Sequence, residues 1–177
     1  MVGAIGSAMP RRHPVPRLWL MTDERMGEGL WRAARRLPRG SGIVFRHYDT
    51  PAAERRRLFA RLLRIARARG LVLVRAGAAR LPGEMGTHGR NGPGITTWPA
   101  HSRRGAVAGV RRGADVLFVS PVFVTRSHPD APALGARRAA AIARGLPARR
   151  IALGGMDARR YVRLTGFDGW AAIDAWL

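Results

Sequence analysis

The chain has 177 residues, 46% of them hydrophobic, and a formal net charge of +21 at pH 7. This length and composition are sufficient for one hydrophobic core, so we expect a single domain over residues 1–177. The sequence contains no cysteine, which excludes disulfides, thiolate metal sites and a cysteine nucleophile.

The sequence also lacks the run of about 18 apolar residues that a membrane-spanning helix requires. We therefore expect no membrane partner and a cytoplasmic location. Residues 1–17 include three prolines and three arginines and have no apolar stretch of the secretory kind. A flexible N-terminal tail is expected there.

The basic residues are all arginines, and the chain has no lysine. A strongly basic chain raises nucleic acid as a partner, because phosphate neutralisation dominates that kind of binding. However, the arginines are scattered over predicted helices without interleaved aromatic residues, as in Arg55-Arg56-Arg57. This distribution favours solvated helix faces, and we do not expect a nucleic-acid partner. An arginine-favouring genome would explain much of the charge.

Apolar strand candidates alternate with helical segments along the chain. The strand candidates are residues 18–22, 43–46, 71–74, a short segment around Thr87, 95–98, 116–119, 151–153 and 170–173. Helices are predicted over 29–37, 51–69, 101–112 and 134–144, the second with Thr50 as N-cap and Pro51 at the first helical position.

Eight strands in βα alternation predict a parallel sheet that closes into a (β/α)8 barrel of the TIM type. The chain is short for that fold, so helices after the third and fourth strands should be reduced to turns. An open doubly wound sheet is the competing architecture, but no G-x-G-x-x-G follows the first strand.

Two segments place small and hydroxylic residues directly after buried strands. The first is Ala114 to Pro129, and the second is Ile151 to Met156, which contains Gly154-Gly155. Buried parallel strands deliver their carboxyl ends to ligands. We therefore expect the chemistry at residues 120–128 and at the glycine pair.

These segments resemble the thiamine phosphate synthase and TenI family. Leu18-Trp-Leu-Met-Thr-Asp23 is similar to the family's opening Leu-Tyr-Leu-Val-Thr-Asp, and Ala114 to Pro129 resembles its Gly-Ala-Asp-Tyr-(x)-(x)-Gly-Pro-(x)-Phe-x-Thr-x-Thr-Lys segment. Residues 151–156 resemble its Gly-Gly-Ile or Gly-Gly-Met strand, and residues 169–175 resemble its closing strand. These four segments occur along the chain in the same order as in the family.

The resemblance implies a TIM barrel that joins a pyrimidine diphosphate to a thiazole phosphate and releases pyrophosphate. In the family the pyrophosphate leaves first and the thiazole nitrogen attacks the resulting pyrimidine cation. The protein's task is then to hold the leaving group and to position the second substrate.

Carried over residue by residue, Arg46 matches the arginine of the family's Gln-x-Arg-x-Lys strand and would grip pyrophosphate. Val44 and Tyr48 replace the other two residues of that motif. The resemblance implies Arg46, His101 and His128 as catalytic candidates, His128 standing where a lysine is expected. The substrate- and phosphate-binding candidates are Arg75, Thr96, Ser120, Thr125, Ser127, Gly154, Gly155 and Ile173. Asp174 replaces a serine beside Ile173.

The family's magnesium-binding aspartates have no counterpart in this sequence. They should lie near Val74 to Ala76, which reads Val-Arg-Ala, and near Asn91 or Gly92. Magnesium prefers carboxylate oxygens, so no metal site of the usual kind is expected and magnesium would bind only through substrate phosphates. We hypothesise that Arg75 or Arg90 supplies the missing positive charge.

His101-Ser102 precedes the helix after the fifth strand, where TenI-type tautomerases have a proton-transferring histidine. A histidine ordinarily titrates near neutral pH, which suits that role; the alternative is a helix-capping pair with an exposed imidazole. His88 is expected near the pocket, and His47 and His13 on the surface.

Three functions remain open. The first is a divergent thiamine phosphate synthase, impaired or adapted by the loss of the aspartates. The second is a TenI-like thiazole tautomerase or a non-catalytic phosphate binder. The third is a basic nucleic-acid-binding protein. The oligomeric state is left open by the sequence, and the expected partners are small phosphorylated substrates.

Overall fold

The computed structural model describes residues 14–125 and 132–177. Eight parallel strands close into a barrel in which each strand pairs with its neighbours in chain order and β8 pairs with β1. The strands are β1 (Leu18–Met21), β2 (Gly42–Phe45), β3 (Val72–Ala76), β4 (Gly86–His88), β5 (Ile95–Ala100), β6 (Val116–Val119), β7 (Arg149–Leu153) and β8 (Gly169–Ala172). The barrel prediction is confirmed.

Five α-helices accompany the strands in the described part of the chain: α1 (Gly29–Arg36), α2 (Ala52–Arg69), α3 (Arg103–Arg111), α4 (Ala136–Ile142) and α5 (Ala158–Tyr161). Short 3-10 helices follow β1 at Glu24–Met26 and β8 at Asp174–Trp176. The connections after β3 and β4 contain no helix, as predicted from the short chain. The one-turn α5 was not predicted. None of the helices in the described ranges is long and apolar enough to cross a membrane.

The barrel interior is filled by side chains that alternate along the strands with an outward-facing set. Trp19 and Phe118 meet edge to face at its centre with ring centroids 5.3 Å apart. Gly42 makes room for the indole, because a Cβ at that position would lie 2.2 Å from the Trp19 ring. A packed interior leaves ligands only the ends of the barrel.

Two apolar clusters outside the barrel pack the helices against the outer face of the strands. Leu62 and Ala66 of α2 pack with α1 against the outward side chains of β1 to β3, including Leu73. Ala106 of α3 and Ala139 of α4 pack against β6 to β8. Helices therefore cover opposite flanks and leave the carboxyl ends of the strands accessible.

The start of α2 differs from the prediction by one residue. Pro51 is the N-cap residue with φ −51° and ψ 140°, and the helix begins at Ala52, so Thr50 is not the cap. The predicted end is confirmed: Gly70 adopts the left-handed conformation (φ 62°) that ends many helices.

The predicted tail, residues 1–17, lies mostly outside the described residues. Its last two residues bond to the barrel. The carbonyl of Pro16 accepts from the Trp19 indole over 3.0 Å, and that of Arg17 accepts from the main chain of Trp170 over 2.9 Å.

Candidate functional site

Three of the sequence-predicted residues gather at the carboxyl ends of the strands: Arg46, His88 and His101, which we call the basic mouth. They follow or end β2, β4 and β5. Burial is the largest cause of a lowered His88 pKa, Arg46 and His101 lower it as well, and the pKa is about 4 as a result. The structure therefore brings together two catalytic candidates and one predicted pocket residue.

Arg46 is held in place from β1. Its Nε donates to the carbonyl oxygen of Thr22 over 2.8 Å, and its main-chain N–H donates to Thr22 Oγ1 over 3.0 Å. Asp23 lies 3.7 Å from the guanidinium. Burial is the largest influence on the Arg46 pKa and lowers it, while Asp23 opposes that shift. The result is a partly desolvated cation with a fixed orientation, suited to an anionic ligand.

His47 is not a surface residue, and that prediction was wrong. It is only 5% exposed, its Nδ1 lies 3.0 Å from Thr22 Oγ1, and its ring stacks on Phe45 at 4.6 Å. Burial lowers its pKa. No sequence pattern indicated this burial, because a histidine two positions beyond a strand can point to either side. Its role here is to hold Thr22, which in turn holds Arg46.

Arg55 also departs from the expectation of a solvated helix face. It is buried, and it donates from Nε to the carbonyl of His47 and from a terminal nitrogen to the carbonyl of Ala76, both over 2.7 Å. These two carbonyls lie at the carboxyl ends of β2 and β3. Arg55 therefore joins two neighbouring strand ends directly beside the basic mouth.

His88 projects into the barrel beside Thr97. Its Nδ1 lies 2.9 Å from Thr97 Oγ1, and its ring centroid is 5.7 Å from that of Phe118. Thr96, the residue selected from the sequence, occupies the alternate position of β5, between the interior residues Ile95 and Thr97. Strand parity could have identified Thr97, since neighbours along a strand face opposite sides.

His101 is hydrogen-bonded to Ser120, the residue that follows β6. Its Nδ1 lies 2.9 Å from the carbonyl oxygen of Ser120 and 3.2 Å from Ser120 Oγ. A carbonyl oxygen can only accept, so Nδ1 donates in this contact. In the neutral ring, Nε2 then has the free lone pair. Ser102, and not His101, caps α3, since its side chain accepts from Gly105 N–H over 3.1 Å. The contacts with Ser120 therefore fix the orientation of the imidazole.

Gly154 and Gly155 pack against the segment that follows β6. Both have positive φ, 99° and 58°, and a Cβ would lie 2.8 Å from Pro121 Cα and 2.5 Å from the carbonyl oxygen of Val124, respectively. Phe123 N–H donates to the carbonyl of Gly154 over 3.1 Å. These contacts give the glycine pair a packing role, which sequence reasoning did not anticipate.

The remaining candidates of this region follow β6 and β8. Thr125 ends the described part of the segment after β6, whereas Ser127 and His128 lie outside the described residues. Ile173 is half-buried and packs against the barrel core, and the exposed Asp174 begins the last 3-10 helix.

The structure places Arg75 outside the basic mouth. Its side chain forms a buried ion pair with Glu84, Nε to Oε2 2.5 Å, and also donates to the carbonyls of Gly77 and Ala78. Arg75 alternates with the interior residues of β3, so it faces outward. Arg90 is exposed and reaches the carbonyl of Gly77 over 3.4 Å, at the carboxyl end of β3.

The residues at the ends of β3 and β4 do not fit a magnesium site. They are Ala76, Gly77, His88 and Gly89, without a carboxylate, and the carbonyl of Gly77 already accepts from two arginines. Within the described ranges no three histidine, cysteine or acidic residues are grouped to hold a metal ion. Magnesium prefers carboxylate oxygens, so these strand ends lack the ligands that would hold it.

Comparisons with known proteins find one family model and solved structures that resemble this chain. The family model described as thiamine monophosphate synthase matches residues 93–176. A solved thiamine phosphate pyrophosphorylase from Pyrococcus furiosus has a TM-score of 0.74 at 22% sequence identity, covering 90% of this chain and 86% of that one. A cube-shaped protein cage designed by fusing symmetric oligomeric domains matches with a TM-score of 0.58 at 13% identity, over 90% of this chain and 64% of that one. No curated protein matches.

Proposed function

We propose that this chain, which belongs to the thiamine phosphate synthase and TenI family, is a transferase of thiamine biosynthesis. It would join hydroxymethylpyrimidine diphosphate to thiazole phosphate and release pyrophosphate. The observation that carries the proposal is the fixed, partly desolvated guanidinium of Arg46 at the carboxyl end of β2, held by Thr22.

The reaction needs charge stabilisation more than acid–base chemistry. The carbon–oxygen bond to the diphosphate breaks, and the electron pair leaves with pyrophosphate. The thiazole nitrogen then donates its lone pair to the methylene carbon of the pyrimidine cation and becomes part of a thiazolium. Arg46 stabilises the negative charge that develops on pyrophosphate, and its fixed position avoids reorganisation during the reaction.

Further positive charge at the carboxyl ends of the strands compensates for the magnesium ion that the missing aspartates would have held. The Arg90 side chain reaches the carbonyl of Gly77 at the end of β3, whereas Arg75 forms an ion pair with Glu84. We therefore assign to Arg90 the role that the sequence left open between the two. Magnesium would enter only with the substrate phosphates.

A second candidate function is supported by the contact between His101 and Ser120. Because His101 Nδ1 donates to the Ser120 carbonyl, Nε2 can accept a proton from a thiazole carbon and return it to another position. A thiazole phosphate tautomerase requires this cycle and no diphosphate substrate. Arg46 would then bind the phosphate only.

The deciding experiment is a product assay with both substrates, in magnesium and in EDTA, beside Arg46→Ala. Thiamine phosphate that disappears in the variant supports the synthase, and product that persists in EDTA supports arginine in place of metal. Absence of product, together with deuterium exchange into thiazole phosphate that is lost in His101→Ala, favours the tautomerase.

A further inference from the structure

Arg55 is a buried cation without a carboxylate partner among the described residues. It is 8% exposed, yet none of the ion pairs within residues 14–125 and 132–177 includes it. Its hydrogen bonds go to two neutral acceptors, the carbonyls of His47 and Ala76. An unpaired charge in a buried position is unfavourable, and a neutral donor could satisfy one of these carbonyls without it.

The guanidinium of Arg55 lies between the carboxyl ends of two strands. It is 5.2 Å from the ring centroid of Phe45, the last residue of β2. On the other side it adjoins Gly77, which follows β3, because a Cβ at Gly77 would lie 3.4 Å from Arg55 Nη2. The charge is therefore placed at the end of the barrel from which ligands enter.

The neighbouring side chains do not neutralise Arg55. Burial is the largest cause of its lowered pKa, and Arg75 lowers it further, whereas Tyr48 and Glu24 raise it. Glu24 is exposed, so solvent screens its charge. The only ionic partner of Arg75 in the described ranges is Glu84. Arg55 thus lacks a buried counter-charge in the described part of the chain.

Tyr48 connects Arg55 with the basic mouth. Burial is the largest influence on the Tyr48 pKa and raises it, while Arg46 and Arg55 both oppose that shift. Both guanidinium groups are therefore within electrostatic range of the same phenol. An anion bound at Arg46 would also interact with the charge of Arg55.

We infer that Arg55 is a positioning residue of the anion site, whose two hydrogen bonds align the ends of β2 and β3 and whose charge is balanced by the anion that Arg46 binds. The inference rests on the proposed function for the location of that anion. Arg55 then acts through its field and through the two strand ends, without touching the ligand.

Calorimetric titration with inorganic pyrophosphate at pH 7 tests the inference on Arg55→Gln and Arg55→Lys. Both variants keep a donor for the strand-end carbonyls, but only lysine keeps the charge. We expect Arg55→Gln to bind about tenfold more weakly than the wild type, and Arg55→Lys within about threefold of it. The difference between the two variants should shrink as salt is added, because salt screens charge and leaves hydrogen bonds in place.

Arg57→Gln is the matched control, since it removes one exposed charge from the same helix. We expect its affinity within about twofold of the wild type, because solvent screens that charge. Equal weakening in Arg57→Gln and Arg55→Gln would overturn the inference, since net charge alone would then explain binding. Equal affinities of Arg55→Gln and Arg55→Lys would also overturn it, because Arg55 would then act only as a hydrogen-bond donor.

Thermal melts establish that each variant is folded at the temperature of the titration. Arg55→Met, a neutral side chain of similar length, replaces Arg55→Gln in the comparison with lysine if the glutamine variant does not melt cooperatively. Failure of the proposed function has a different signature. Pyrophosphate affinity would then be unchanged in Arg46→Ala, and the inference about Arg55 would fall with it.

Discussion

Arg46 and Thr22 are joined by two hydrogen bonds, one from the guanidinium Nε to the Thr22 carbonyl over 2.8 Å and one from the Arg46 main chain to Thr22 Oγ1 over 3.0 Å. The first orients the side chain, and the second fixes the backbone from which it extends. Because Thr22 Oγ1 also contacts His47 Nδ1, the orientation of Arg46 depends on a buried network across β1 and β2.

Removal of the Thr22 hydroxyl should therefore weaken anion binding without a change in charge. We expect Thr22→Val to reduce affinity for pyrophosphate about tenfold, since the Arg46 N–H and His47 Nδ1 lose their shared partner. Thr22→Ser keeps the hydroxyl and serves as the matched control. Titration calorimetry with pyrophosphate measures the effect, and equal affinity in Val and Ser variants would show that the hydroxyl does not position Arg46.

The buried ion pair between Arg75 and Glu84 is expected to matter for stability. Both side chains are almost fully buried, and Glu84 also accepts from Leu81 N–H over 3.0 Å. Glu84→Gln leaves a buried cation without its counter-charge and should lower the free energy of unfolding by about 3 kcal/mol. Denaturant unfolding measures this loss.

Arg80 offers the control for that pair. It lies 3.9 Å from the same carboxylate, but its side chain is 80% exposed. Arg80→Ala should change the free energy of unfolding by less than about 1 kcal/mol, because solvent screens the interaction. Equal losses in the two variants would contradict a dominant role for the buried partner.

The depressed pKa of His88 predicts a pH-dependent stability. In the unfolded chain the imidazole binds a proton below about pH 6.5, whereas in the fold it does so only near pH 4. The unfolded state therefore holds more protons between these values, and the free energy of unfolding should fall as the pH decreases through that window. The shift corresponds to a loss on the order of 3 kcal/mol. His47, whose pKa is also lowered, acts in the same direction.

His88→Gln should reduce the slope of stability against pH between about 6.5 and 4, as followed by denaturant unfolding at fixed pH steps. Asp23, Glu84 and Asp168 also have lowered pKa values, so their stabilisation is lost at lower pH, through their folded values. A slope identical to the wild type in the upper window would show that His88 is not kept neutral by the fold.

The sequence predicted the barrel because its evidence is periodic and local. Apolar runs such as 116–119 and the helix stop at Gly70 depend on nearest neighbours, and both were placed correctly. The short helix after β7 was missed since one turn leaves no period to detect. Arg46 was selected through the family motif, whereas Thr22 was not, because their contact joins residues 24 positions apart.

The surroundings of arginine and histidine were the least predictable feature. Arg55 and His47 were expected on the surface, yet both are buried by contacts between strand ends that no local pattern reveals. Arg75 was expected at the site, yet it alternates with interior residues of β3 and pairs with Glu84 outside the barrel. Thr96 was selected in place of Thr97 because the alternation of side chains along β5 was not used. Once Ile95 is known to face the interior, that alternation places Thr97 in the interior and Thr96 outside.

The glycine pair provides a last prediction, which links packing to ligand binding. Gly154→Ala places a methyl group 2.8 Å from Pro121 Cα at φ 99°, so the segment after β6 must move. Gly113 has a similar φ of 76°, but a Cβ there meets nothing within 4 Å. Gly113→Ala should cost about 1 kcal/mol from backbone strain alone, and Gly154→Ala a further ~1–3 kcal/mol from the close contact.

Because the displaced segment carries Ser120 and Thr125, Gly154→Ala should also weaken thiazole phosphate binding, whereas Gly113→Ala should leave it unchanged. Denaturant unfolding and calorimetric titration of both variants separate the two effects. A Gly154→Ala variant that loses stability but keeps its affinity would show that the segment after β6 does not contact the ligand. Equal stability losses in the two variants would instead mean that the segment shifts without cost, and that the glycine is required only for its conformation.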